Sequence, residues 1–231
     1  MKRSIFSCFS LALILCINTL SAAQKTTLES PDVQVSQRTE LARGTWIKQE
    51  AQTANYIFEV FVLPGENSPE FREWRNIRVI DRHTGRLIQL INANGGGVIF
   101  PSPDKLVNLV DFNFDGQLDL RVQTADGGAS PNDLANFYAF DKKNNRFVFD
   151  KELSEMTQVF INVKNKTISS AYRDGCCHHH EDRYVYQAGR RLHVYEWDEA
   201  ITADNWLETS VGRLTNGKMH YKLKRVKQRH Q

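Results

Sequence analysis

Side-chain oxygens stand at positions 1, 3, 5 and 9 of one nine-residue stretch, Asp111-Phe112-Asn113-Phe114-Asp115-Gly116-Gln117-Leu118-Asp119. They belong to Asp111, Asn113, Asp115 and Asp119, and Gly116 occupies position 6. A hard divalent cation needs six or more oxygens on a small sphere. Alternate residues of a tightly wound loop supply them, the backbone carbonyl at position 7 (Gln117) adds one, and a glycine at 6 permits the sharp turn. The pattern predicts a Ca²⁺ loop built from Asp111, Asn113, Asp115, Gln117 and Asp119. It departs from an EF-hand at position 12, where Val122 replaces the chelating glutamate. Fewer ligands place the expected affinity in the micromolar-to-millimolar range of extracellular modules. The competing reading is that Asp, Asn and Gly only make turns here, with Phe112, Phe114 and Leu118 as core anchors under either reading.

A second group is Gly175-Cys176-Cys177-His178-His179-His180-Glu181. On a strand, Cys176, His178 and His180 would share a face, and Cys with two His suits Cu or Zn. Structural zinc sites draw on separated ligand pairs, and no second pair is present. The vicinal cysteines offer a disulfide instead, across neighbouring Cα atoms closer than most disulfides span. A polar loop with inert thiols is the third reading.

The elements that must position these groups read as strands. Tyr56 to Leu63 is rich in β-branched and aromatic residues and stops at Pro64-Gly65. Four hairpins follow from apolar runs about turn residues: 77–80 with 87–91, 137–140 with 146–149, 183–186 with 192–197, and 211–214 with 219–223 around Asn216-Gly217. Leu106 to Val110 and Leu118 to Val122 flank the aspartate loop as strands, not helices. Only Ser68 to Arg75 and Asp150 to Gln158 are expected as short helical turns. The fold class is therefore all-β, antiparallel hairpins in one small propeller-like or sandwich-like domain. No repeat of fixed length shows.

The aspartate loop resembles the FG-GAP calcium loops that lie between strands of integrin-type propeller blades. A longer order of segments, Ile77 to Ile91, the loop with Leu120-Arg121-Val122, Asn136 to Asp141, Arg146-Phe147, Lys166 to Ser170 and Gly189 to Leu192, is similar to a family of exported bacterial proteins with a single FG-GAP-like calcium loop. The resemblance implies a propeller-like fold, a bound Ca²⁺ and export. A branch of that family comprises immunity proteins that neutralise lysozyme-like, peptidoglycan-degrading toxins, which makes a peptidoglycan hydrolase the expected partner.

The ends and the composition agree with export. Lys2 and Arg3 precede an apolar run to Leu20, and Ser21-Ala22-Ala23 has the small residues of a signal peptidase site. Residues 1–23 are expected as a cleaved signal with no membrane span left afterwards, 24–43 as a polar lead-in, 44–224 as one β domain, and 225–231 as a basic tail. The product is expected in the periplasm or outside the cell. The chain has 30 basic and 27 acidic residues, and the signal removes two of the bases, leaving a nearly neutral protein. That excludes a dedicated nucleic-acid binder. Nucleophile elbows, His-Glu-x-x-His helices and phosphate-cradling glycine loops are missing from the sequence, so no catalytic role is expected. Trp46, Phe71, Trp74, Trp197 and Trp206 are interface anchors or core. The expected function is an exported calcium-binding, non-catalytic protein-binding module, with an envelope metal-binding or stress protein as the alternative.

Overall fold

The computed structural model of the chain describes residues 44–64, 72–99, 102–125 and 132–228. The expected signal and lead-in, Phe71 and residues 229–231 lie outside them. The described residues form three antiparallel sheets, each made of strands consecutive in sequence. The first sheet holds β1 (Thr45–Gln52), β2 (Tyr56–Pro64), β3 (Arg72–Asp81) and β4 (Leu87–Ile99). The second holds β5 (Val107–Val110), β6 (Asp119–Ala125), β7 (Leu134–Asp141) and β8 (Arg146–Phe149). A single helical turn, α1 (Lys151–Ser154), leads to the third sheet: β9 (Phe160–Asn162), β10 (Thr167–Asp174), β11 (His178–Gln187), β12 (Arg190–Ile201), β13 (Trp206–Thr215) and β14 (Lys218–Lys227). The three sheets are meanders in succession, of four, four and six strands, with no strand crossing between them among the described residues.

The four hairpins read from the sequence are present as β3–β4, β7–β8, β11–β12 and β13–β14. Asn216 and Gly217 both take positive φ, 51° and 75°, as a two-residue turn that matches strand twist requires. Ala188 and Gly189 do the same between β11 and β12. Two helical expectations need correction. Arg72 to Arg75 lie in β3, because Trp74 is fully buried and its indole N–H donates to the Gln123 carbonyl at 3.0 Å. Core burial of the largest side chain outweighs a weak helical preference. The turn expected over 150–158 shrinks to α1, capped by the Asp150 side chain, which accepts from Leu153 N at 3.0 Å. The basic tail also begins later than expected. Arg225, Val226 and Lys227 belong to β14, paired with Glu208, Leu207 and Trp206.

Two cores are built on the two faces of the second sheet. Along β7, Asn136 and Tyr138 alternate with Ala135 and Phe137, as strand geometry demands. Tyr138, with Leu120 and Val122 of β6, packs against Phe58, Val60, Trp74, Ile77 and Val79 of the first sheet. Phe137 and Ala135 pack with Phe112, Leu153 and Ile168, and Tyr184 and Tyr186 lean on that cluster from the third sheet. Each fully buried large apolar side chain contributes about 1.5–3 kcal/mol. Glutamine amides tie the first sheet to the second. Gln49, almost fully buried, donates to the Ile47 and Pro103 carbonyls (3.1 and 2.9 Å) and accepts from Leu106 N and Val107 N (3.0 and 3.2 Å). Gln89 donates to the Phe147 carbonyl and accepts from Phe147 N, both at 2.8 Å, and so imitates a strand partner for β8.

Candidate functional site

The aspartate loop connects β5 to β6, with a strand on either side. Its curl is held by its own side chains. Asp111 accepts from Asp115 N (3.1 Å) and Gly116 N (2.9 Å), Asn113 Oδ1 accepts from Asp115 N (3.0 Å), and Asp115 Oδ1 accepts from Gln117 N (2.8 Å). The side-chain oxygens of Asp111 and Asn113 thus converge on one amide. Gly116 has φ of 85°, which its lack of Cβ allows. Phe114 also takes positive φ, 61°, and is pinned by its ring against Tyr186, 5.3 Å away and nearly perpendicular. Phe112 is fully buried against Phe137. Leu118, expected as a third anchor, is exposed instead. It precedes Asp119, whose inward direction turns its neighbour outward.

Asp119 is the buried member of the set. Its two oxygens accept from Phe112 N (3.1 Å) and Phe140 N (2.8 Å), joining loop to β7. Burial pushes its carboxyl up to about 7 against the pull of those two amides, and the charges of Asp115 and Asp111 add to the rise. Among the described residues no cationic side chain pairs with Asp111, Asp115 or Asp119. An all-oxygen donor set with surplus negative charge fits a hard divalent cation. Carboxylate oxygens that each take one amide keep further lone pairs. Val122, at the position of the missing chelating glutamate, faces the core between the first two sheets.

The Cys-His run divides between a turn and a strand. Gly175, Cys176 and Cys177 turn β10 into β11, and Cys176 and Cys177 are joined in a vicinal disulfide. Cys176 is therefore neither on the strand face of His178 and His180 nor free as a thiolate ligand. His178 and His180 do share a face, and both approach one oxygen of Asp198 on β12, at 2.8 Å (Nε2) and 3.2 Å (Nδ1). The far nitrogen of His180 is 3.0 Å from Asp182 Oδ2, and His193 Nε2 is 2.8 Å from Asp182 Oδ1. Burial lowers His180, but the hydrogen bonds and charges of Asp182 and then Asp198 prevail and its net shift is upward. His179 points to the opposite face.

Asp182, His193 and Asp198 escaped the sequence reading. Asp198 lies past a bulge in β12: the hairpin register about Gln187–Arg190 alone would set Trp197 across from His180, and one extra residue brings Asp198 there instead. His193 lies before that bulge, across from Tyr184 as the hairpin register sets it, and only the residues past the bulge are re-aimed toward it. Of the expected aromatic anchors, Trp74 is core, Trp46 lies under the Arg78 guanidinium (3.7 Å), and Trp206 lies under Arg225 and Lys227 (5.7 and 5.2 Å).

No family model matches the chain, and no curated protein matches it. Among solved structures, it is similar to a Xanthomonas protein described as related to a type IV secretion system. The TM-score is 0.57 and the identity 20%, over 79% of this chain and 95% of that one. At that identity the likeness is one of fold alone. No helix among the described residues is long and apolar enough to cross a membrane.

Proposed function

We propose that this chain is an exported, calcium-binding, non-catalytic protein-binding module whose partner is a peptidoglycan hydrolase, in the manner of an immunity protein. The observation that carries the reading is the loop from Asp111 to Asp119, wound between two strands of the middle sheet over the buried Asp119 carboxylate. Asp111, Asn113, Asp115, Asp119 and the Gln117 carbonyl are the groups that would hold Ca²⁺. When bound, the ion would offset the carboxylate charge and stiffen the loop. The neighbour related to a type IV secretion system supports an envelope role by fold alone.

Two measurements test this. Millimolar Ca²⁺ is expected to raise the melting temperature, and Asp115→Ala to abolish the rise; calorimetry with no heat would remove calcium from the reading. The purified protein is expected to inhibit a muramidase or another wall hydrolase. Inhibition of none, tested against lysozymes and the wall hydrolases of the source cell and its competitors, would remove the immunity role.

A second reading is an envelope metal-binding protein using the histidine run, favoured by the convergence of His178 and His180 on Asp198. With Cys176 in a disulfide, it rests on imidazoles and carboxylates. Copper or zinc bound stoichiometrically and lost on His178→Ala would support it.

A further inference from the structure

In a regular strand, residues three apart point to opposite faces. His193 and Glu196 nevertheless share a face. Cross-strand pairing runs Tyr184↔His193, then Arg183↔Tyr195 and Asp182↔Glu196, so Val194 is an extra residue in β12. This one-residue bulge re-aims everything after it. Without it Asp182 would oppose Tyr195; with it Asp182 opposes Glu196 and lies diagonal to His193. One ligand atom from each of Asp182, His193 and Glu196 then lies within 4.8 Å of the other two.

We propose that Asp182, His193 and Glu196 form a binding site for a divalent cation of the zinc class on the face of the six-stranded sheet, separate from the aspartate loop. It goes beyond the calcium reading and shares none of its residues.

The donor set selects the ion. One imidazole and two carboxylates, with no thiolate, match borderline cations such as Zn²⁺ at bonds of about 2.0–2.2 Å. Ca²⁺ and Mg²⁺ favour oxygen alone. The two carboxylates balance the ionic charge. Two ligands on a tetrahedral ion sit about 3.4 Å apart at such bond lengths; His193 Nε2 and Asp182 Oδ1 are already at 2.8 Å. Despite that approach the buried nitrogen makes no hydrogen bond.

Each ligand is also held from behind, as metal ligands are. The His193 ring stacks on Tyr184, centroids 4.9 Å apart and 27° from parallel. Asp182 presents its other oxygen to His180 Nε2 at 3.0 Å. Tyr221 of β14 donates its hydroxyl to Glu196 Oε2 at 2.9 Å, reaching across the whole of β13. Gly212 makes that reach possible. It pairs with both Glu196 and Tyr221, and a Cβ there would come within 2.7 Å of the tyrosine ring.

The test is calorimetric titration of the whole chain, stripped with chelator and kept in millimolar Ca²⁺, with Zn²⁺ as the probe. One Zn²⁺ per chain is expected. His193→Ala and Glu196→Gln should each weaken binding at least tenfold, and Tyr221→Phe by about tenfold. The double variant His179→Ala/His220→Ala, both on the opposite face, should leave it unchanged. Co²⁺ should give visible d–d bands that Zn²⁺ abolishes. Asp115→Ala should keep the zinc heat, so failure here and failure of the calcium reading are separable. Circular dichroism checks the fold of each variant; if His193→Ala unfolds, Glu196→Gln and Tyr221→Phe decide. No zinc heat at millimolar metal overturns the proposal, as does binding untouched by the folded ligand variants. Loss of the metal on His178→Ala with retention on His193→Ala also overturns it, in favour of the histidine run.

Discussion

Arg191 grips Asp150 with both terminal guanidinium nitrogens, 2.8 Å to each carboxylate oxygen, across the junction between the second and third sheets. The same guanidinium reaches Glu152 at 2.7 Å, and its side chain is only 9% exposed. A planar fork on a carboxylate is geometry that lysine cannot copy. Asp150 also caps α1, so one carboxylate serves helix and sheet together.

Arg191→Ala therefore strands a mostly buried carboxylate. A loss of about 3 kcal/mol is expected by denaturant melting, from the cost of breaking a buried pair. Arg191→Lys should recover only part of it. An Arg191→Ala protein as stable as the parent would show the fork to be ornamental.

The buried Gln49 amide satisfies four backbone groups at the seam of the first two sheets. Gln49→Leu keeps the volume and orphans those groups. The expected loss is about 2–4 kcal/mol, set by unsatisfied buried donors rather than by packing. Amide hydrogen exchange at Leu106 and Val107 should quicken in the variant, and unchanged protection there would count against it.

Asp119 and Asp115 sit four residues apart and should behave differently. Asp119→Ala leaves Phe112 N and Phe140 N without their acceptor, so it should destabilise the protein by about 2–4 kcal/mol even in calcium-free buffer. Asp115→Ala, at an exposed position, should change calcium-free stability little and remove the calcium response. Equal melting of both variants without calcium would contradict this division of labour.

Two hairpin turns carry a pH dependence of their own. The backbone N–H and hydroxyl of Thr84, then the His83 N–H, hold the Asp81 carboxyl below its ordinary value of 3.8. The side-chain amide of Asn144, then the N–H groups of Asn144 and Lys143, do the same for Asp141. A carboxyl lowered in the fold contributes stability that is full above 3.8 and fades as pH falls through the folded value. Carboxyl-carbon NMR titration should place both below 3.8, and Thr84→Val should raise Asp81 while leaving Asp141 alone. An Asp81 that titrates at its ordinary value would refute the turn assignment.

Local signals told most of the architecture. Asn216-Gly217 sets its hairpin because a two-residue turn needs positive φ at both residues, a requirement written in residue type; in Ala188-Gly189 only the glycine announces it. The aspartate loop was legible because its oxygens and glycine recur at fixed spacing within one segment. The Asp182, His193 and Glu196 cluster was not, since it depends on a bulge at Val194 that no residue type announces. Trp74 misled in the opposite way: its neighbourhood read as helical, and only contacts with a distant sheet make it strand. Arg225 to Lys227 read as tail because charge run outweighed pairing partners that lie across a turn.

Because each sheet closes on its own strands before the next begins, a chain appearing from its amino end always has the neighbour it needs already at hand or only a few residues behind. Apart from the two seams, no early strand must wait for a late one, so little sticky edge is left bare while the remainder is still being delivered. That order of assembly suits a chain that folds from its amino end as it is made, where the far end arrives last and a fold knitted from both termini would have to wait.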